Sequence, residues 1–155
     1  DFFSYQFFPF AQRRQQTALV FLLIVYRLAG VYLMMAEIAN MEGGDVASYI
    51  NKIRERAYGK NWDATKYGYT NGNFTENELA ILHEKDKEML GEGQRWYDLK
   101  RMTLTKGGKH LVFCPEGSKD GQKAILTEAE AYKLYWPIET NMITKDPELT
   151  QTPGY

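Results

Sequence analysis

Cysteine is almost absent from this chain: one residue, Cys114, stands among 155, which excludes an internal disulfide and leaves the redox compartment open. The residues ahead of it, Leu111-Val112-Phe113, lack the small side chains expected before a lipid-modified cysteine, so Cys114 reads as a small buried hydrophobe. Histidine is nearly as scarce. His83 and His110 stand apart, with no second histidine or cysteine at ligand spacing, and a zinc site has no support. An excess of one charge is missing too: 19 Lys and Arg against 20 Asp and Glu leave a net −1, which offers no electrostatic footprint for nucleic acid. Gly107-Gly108-Lys109 lacks the rest of a phosphate loop and reads as a turn. No sequence repeat of about 20–50 residues is visible, so any repeated helical pair would be structural only. What is present is a globular composition, 25% charged and 44% hydrophobic, sufficient for one ordinary core. Aromatic residues make up 14%, which suits either a large core or a stacking surface.

Residues 1–16 carry five phenylalanines with Pro9, Arg13 and Arg14 and follow no clean period, so they read as irregular or as a strand remnant. Ala18–Tyr26 is an unbroken run of nine apolar residues, and after Arg27 the apolar character resumes to Ala36. Hydropathy alone admits a membrane span here, because a central arginine costs about 2.5–3.5 kcal/mol and its neighbours offset part of that. In the second half Leu28, Val31, Tyr32, Met35 and Ile38 form a stripe of helical period. Gly43-Gly44 then breaks the chain, Asp45 can cap the next helix, and Val46, Tyr49, Ile50, Ile53 and Ala57 line one face of it. Tyr58–Asn73 is an aromatic, glycine-containing loop, long enough to suggest function.

The stretch Ile81–Met102, ILHEKDKEMLGEGQRWYDLKRM, is the densest part of the chain. Leu79, Leu82, Met89 and Leu90 make one helical stripe, with Glu84, Lys85, Lys87 and Glu88 on the remaining faces. Thr75 and Glu78 have capping-box spacing at its start. Gly91 and Gly93 bracket Glu92 and end the helix, and a second helix is expected from about Gln94 to Arg101. Beyond Met102 the chain is rich in turns, with a short helix expected over Thr127–Tyr132 and an extended segment over Lys133–Ile138.

The block Glu88-x-x-x-Glu92-Gly93-x-Arg95-Trp96-Tyr97-Asp98-Leu99 resembles the Glu-Gly-x-Arg-Trp-Phe/Tyr-Asp-Leu signature of the SusD/RagB family of outer-membrane nutrient-binding lipoproteins of Bacteroidetes. Three further segments resemble the same family in the same order: Arg27-Leu28-Ala29 through Ala36-Glu37, Ile50-Asn51-Lys52-Ile53-Arg54-x-Arg56-Ala57, and Pro147-x-Leu149-Thr150-Gln151-x-Pro153-Gly154-Tyr155. Short motifs gain weight from context, and four in order carry far more than one.

The resemblance implies a mainly α fold of tetratricopeptide-like paired antiparallel helices, with long irregular loops and a few short strands. It makes Ala18–Val25 a buried strand and Tyr26–Met41 a helix, which argues against a membrane span. It divides the chain into residues 1–26, a strand or irregular segment continuing from an N-terminal part that is missing, and residues 27–155, the C-terminal region of such a protein. Tyr155 is then expected at or near the natural C-terminus. The implied function is that of a cell-surface subunit binding glycans or oligosaccharides and delivering them to a TonB-dependent, SusC-like outer-membrane transporter. Such a protein is held in the outer membrane by a lipid on an N-terminal cysteine outside this chain. It is not an enzyme, and no cofactor or metal is implied. Two other classes stay open on the residues alone: a helical-repeat scaffold for protein partners, and a carbohydrate-active enzyme.

Arg27, Glu37, Glu92, Arg95 and Asp98 lie within or beside apolar helical faces. They form either a polar site or a set of partly buried ion pairs that fix helix packing, and the second reading is preferred because a buried charge must find a partner. The pairs Glu128 with Glu130 and Asp146 with Glu148 read as solvated surface, since no sequence spacing can establish the carboxylate separation a glycosidase needs. Trp62, Tyr67 and Tyr69 are the candidate ligand-binding residues. Sugar rings present apolar C–H faces that an aromatic plane can cover, although the same rings could instead fasten the loop to the core. Glycan contacts in the family come largely from its N-terminal part, so none is carried over by the resemblance.

Overall fold

The structure, a computed structural model, describes residues 26–155. The expected strand over Ala18–Val25 and the phenylalanine-rich start therefore lie outside the described residues. Six α-helices follow one another: α1 (Leu28–Glu42), α2 (Ala47–Tyr58), α3 (Ala64–Tyr67), α4 (Phe74–Glu88), α5 (Arg95–Arg101) and α6 (Thr140–Lys145). Short 3-10 turns at Gly59–Asn61, Leu111–Phe113, Pro115–Gly117 and Glu128–Leu134 connect them. Among the described residues there is no strand, only a lone antiparallel bridge between Thr103 and His110. None of the described helices is long and apolar enough to cross a membrane.

Two helical hairpins build the core. The tight connection after α1 ends on Gly43 in the left-handed region, and Asp45 accepts a hydrogen bond from the Ser48 N–H at 3.3 Å as α2 begins. The second hairpin turns through Gly91 and Gly93, with φ of 81° and 72°, values that side chains other than glycine rarely adopt. Leu33 and Ala36 of α1, Val46, Ile50 and Ile53 of the second helix and its entry, and Ile81 and Leu82 of α4 pack together. Leu99, Met102, Leu111 and Val112 close this core from the side of α5. Gly117 lets that side pack closely, because a Cβ there would lie 2.0 Å from the Leu111 carbonyl oxygen.

Three expectations need correction. The capping box of α4 is Asn73 with Glu76, not Thr75 with Glu78: the Glu76 N–H donates to Asn73 Oδ1 at 3.0 Å and the Asn73 N–H to Glu76 Oε2 at 2.8 Å. Asparagine caps as well as threonine does, and the earlier start leaves Thr75 to donate to the Leu104 carbonyl and Glu78 to face Asn40 in the core. Glu84 and Lys85 do not cover solvated faces but are buried, while Leu90 of the expected stripe is exposed.

The third correction concerns α1, whose buried residues are Ala29, Leu33, Ala36, Glu37 and Asn40. Of the expected stripe only Tyr32 packs against the core; Leu28, Val31, Met35 and Ile38 face outward, with Leu28 68% and Ile38 57% exposed. The helix is apolar on both sides, so periodicity could not say which side turns in. Polar partners decide it. Asn40 donates to Glu78 and to the Phe74 carbonyl, and accepts from Asn77 at 3.0 Å, while small residues at 29 and 36 permit the close approach.

Leu28, Val31, Met34, Met35, Ile38 and Met41 thus form an exposed apolar face. Residues 1–155 produced alone are expected to bind a hydrophobic dye, and Met35→Glu with Ile38→Glu to reduce that binding. A monomer that leaves the dye dark would contradict this exposure.

Candidate functional site

The charged residues singled out in the sequence do not converge on one site. Glu37 of α1 and Asp98 of α5 meet across Lys85 of α4. Lys85 Nζ lies 2.8 Å from Asp98 Oδ1 and also pairs with Glu37. Arg101 closes the cluster, donating from Nη2 to Glu37 Oε1 at 2.8 Å and to Asp98 Oδ1 at 2.5 Å, with a second pair to Glu37 Oε2. Lys85 is 7% exposed and Asp98 4%, while the Arg101 side chain is 48% exposed, so the carboxylates and Lys85 are desolvated and a half-exposed arginine closes the network at its edge.

Arg27 and Glu92 belong to a second cluster. Arg27 reaches Glu88 Oε1 at 2.8 Å and Glu92 Oε1 at 2.7 Å, and Arg56 holds the other Glu88 oxygen at 2.6 Å. Arg95 stands in a third, paired with Asp86 and donating to the Gly117 carbonyl at 2.8 Å. A fourth was not foreseen: Arg54 spans Glu84 and the Tyr67 carbonyl, joining α2, α4 and the aromatic loop. Arg54, Arg56 and Glu88 stood inside the quoted motifs, which was the available signal. Lys85 and Glu84 gave none, because a charge next to an apolar stripe looks the same whether it is solvated or paired.

Burial alone would raise the Glu37 carboxyl, but Arg101 and Lys85 outweigh it and hold it below its ordinary 4.5. Glu88 is likewise lowered, with Arg27 and Arg56 overcoming burial. Glu78 moves the other way. Its burial, with Glu37 nearby, raises it against a hydrogen bond from Asn40. Glu37 and Glu78 both border a groove of about 370 Å³ beside Met34, Ile38, Met41 and Met102, and two carboxyls with separated pKa values suggest acid–base work. Their surroundings oppose it. Both Glu37 oxygens are held by cations, and Glu78 is 2% exposed with Oε1 accepting from Asn40, so the two do not form an open acid–base pair.

The aromatic loop is ordered by its own rings. Tyr67 stacks on Tyr58 with centroids 4.1 Å apart and planes 15° from parallel, and Trp62 leans on the same tyrosine at 6.1 Å. Trp62 and Tyr67 keep one half-buried surface each. Tyr69 is turned inward: its hydroxyl donates to Asn77 Oδ1 at 2.8 Å, and its backbone N–H and C=O both bond the Asn51 amide, at 2.7 and 2.9 Å.

A second aromatic group escaped the sequence reading. Tyr97, Tyr135, Trp136 and Tyr155 line a cleft of about 480 Å³ together with Trp96 and Lys133. The adjacent rings of Tyr135-Trp136 followed by Pro137 were the signal, since proline keeps the preceding residue extended and its side chain away from a helix.

The sequence model of the SusD family matches residues 21–155. Among curated proteins the chain is similar to SusD-like protein P25 of Formosa agariphila, 44% identical over 80 residues that make up 50% of this chain and 15% of that protein. It is also similar to the starch-binding protein SusD of Bacteroides thetaiotaomicron, 31% identical over 131 residues, 84% of this chain and 21% of that protein. A crystal structure of a SusD superfamily protein from Bacteroides fragilis superposes with a TM-score of 0.80 at 64% identity, covering 84% of this chain and 28% of that one. The chain thus spans about a fifth of the length of these curated relatives.

Lys85→Met in a polypeptide carrying this region is expected to lower its unfolding free energy by about 3 kcal/mol, because two buried carboxylates lose the more buried of the two cations they share and keep only Arg101. The lowered Glu37 and Glu88 stabilise the fold fully above their ordinary 4.5 and lose that contribution as the pH falls through their lower folded values. The raised Glu78 opposes this, since its burial costs least once it is protonated. Thermal melts from about pH 7 down to about pH 3 should therefore fall less steeply for Glu37→Gln than for the unaltered chain. Parallel curves would remove Glu37 from the network.

Proposed function

We propose a function from one premise, that the chain belongs to the SusD family: it is part of a carbohydrate-binding protein of Bacteroidetes that captures glycans or oligosaccharides at the cell surface. The reading is carried by the family match across residues 21–155, and a relative named for starch binding supports the ligand class. Captured glycan passes to a TonB-dependent, SusC-like transporter. The whole protein is anchored in the outer membrane through a lipidated N-terminal cysteine outside this chain, and its N-terminal part covers apolar surface left open here.

Binding rather than catalysis is supported by how the buried acids are used. Glu37, Glu84, Glu88 and Asp98 are each committed to one or more cations and Glu78 accepts from Asn40, which supports reading Arg27, Glu37, Glu92, Arg95 and Asp98 as structural ion pairs. Ligand contact falls to aromatic surface, including Trp62 and Tyr67, with Tyr69 holding their loop in place.

Calorimetric titration of the full-length protein with a panel of neutral oligosaccharides tests the reading. At least one should bind, without release of new reducing ends. Trp62→Ala should weaken that binding roughly tenfold, for a stacking contribution of about 1–2 kcal/mol. A folded protein that binds no member of the panel would overturn the function, whereas a lowered melting temperature with unchanged affinity would make Trp62 a fastening of the loop only.

A further inference from the structure

We propose that the cleft between α5 and the C-terminal segment is a contact site for a neutral oligosaccharide, with Trp136 as its stacking platform and Tyr97, Tyr135 and Tyr155 as its walls. The sugar class rests on the carbohydrate-binding reading above; the place and the residues do not. Trp136 is 85% exposed, Tyr97 and Tyr135 are each 65% exposed, and Tyr155 is 51% exposed. Side chains of this size usually bury most of their surface, and here four of them open onto one cleft.

The walls are held in place before any ligand arrives. Tyr155 sets its edge against the face of Tyr132, with centroids 5.1 Å apart and planes at 85°, and its hydroxyl donates to the Tyr135 carbonyl at 3.1 Å. Lys100 of α5 donates to the Leu134 carbonyl at 2.8 Å and lies over the Tyr135 ring at 5.2 Å. The Gln151 side chain clamps Ile138 by accepting from its N–H at 2.8 Å and donating to its C=O at 2.9 Å, which ties two stretches of the C-terminal segment together. Pro137 restricts the backbone of Trp136. Preorganised rings of this kind bind at little conformational cost.

The lining also defines the ligand. The cleft volume of about 480 Å³ falls within the range of small-molecule sites, roughly 300–1,000 Å³. Among the described residues no carboxylate side chain lines it, and the one cationic side chain that does, Lys133, is 2.6 Å from Glu130, so the described lining selects neither a cation nor an anion. What remains is a set of flat apolar faces edged by phenol hydroxyls. A pyranose ring matches this, with C–H groups for the faces and hydroxyls for the edges.

The test uses the full-length protein, with Trp136→Ala, Trp136→Phe and Tyr97→Ala titrated calorimetrically against malto-, cello-, xylo- and mannohexaose. For the oligosaccharide that binds the unaltered protein, Trp136→Ala is expected to lose about five- to tenfold in affinity and Trp136→Phe to retain most of it, as loss of one aromatic stack predicts. The melting temperature should stay within about a degree, since exposed side chains contribute little to stability. Unchanged affinity in Trp136→Ala and Tyr97→Ala would overturn the cleft and leave the carbohydrate-binding reading intact. A marked drop in melting temperature with unchanged affinity would overturn it too, showing that another part of the protein covers these rings, as would loss of transporter co-purification alone. Absence of any binding by the unaltered protein would bring down the cleft together with the reading it rests on.

Discussion

Lys85 sits between Glu37 and Asp98, with Arg101 closing the square, and this desolvated cluster is the constraint on which the arrangement of α1, α4 and α5 depends. A buried charge without a partner costs several kcal/mol, so the three helices are stable only in positions that complete the network. Hydrophobic burial draws the helices together but is indifferent to rotation about their axes. The charges and the Asn40, Asn77 and Glu78 amide–carboxyl group beside them supply the missing direction.

The orientation of α1 follows. Turning Glu37 and Asn40 inward commits Ala29, Leu33 and Ala36 to the interface and sends Leu28, Val31, Met35 and Ile38 outward. An apolar face is thereby left open so that a polar one can be satisfied. A helix apolar on both sides is usually found in an interior, and the chain spans 28% of the crystallographic relative it superposes on.

Much of this was legible in the sequence, and the failures share a cause. The C-terminal end of α4 and the glycine break before α5 followed from local rules about left-handed residues, which depend on few neighbours, whereas the cap at the start of α4 lies two residues earlier than those rules placed it. Arg27, Glu37, Glu92, Arg95 and Asp98 lay within the quoted motifs, but the partners that complete their pairs, Lys85, Asp86 and Arg101, did not. The inward face of α1, the burial of Lys85 and Glu84, and the fourth cluster around Arg54 were not legible, because each is decided by a partner more than a dozen residues away. The cleft around Trp136 was hidden for the same reason: Tyr97 and Tyr155 are far apart in the chain and meet only once α5 and the C-terminal segment are folded together.

The buried charges position the helices, and the exposed aromatic planes around Trp136 are the surface on which the proposed ligand contact rests. The account stands on the network being cooperative, and a double-mutant cycle measures that directly. Glu37→Gln, Lys85→Met and the double variant, unfolded by denaturant in the full-length protein, should show a coupling of about 1–3 kcal/mol. Costs that add to within about 0.5 kcal/mol would show that the two side chains act independently, and would contradict the claim that this cluster orients the helices.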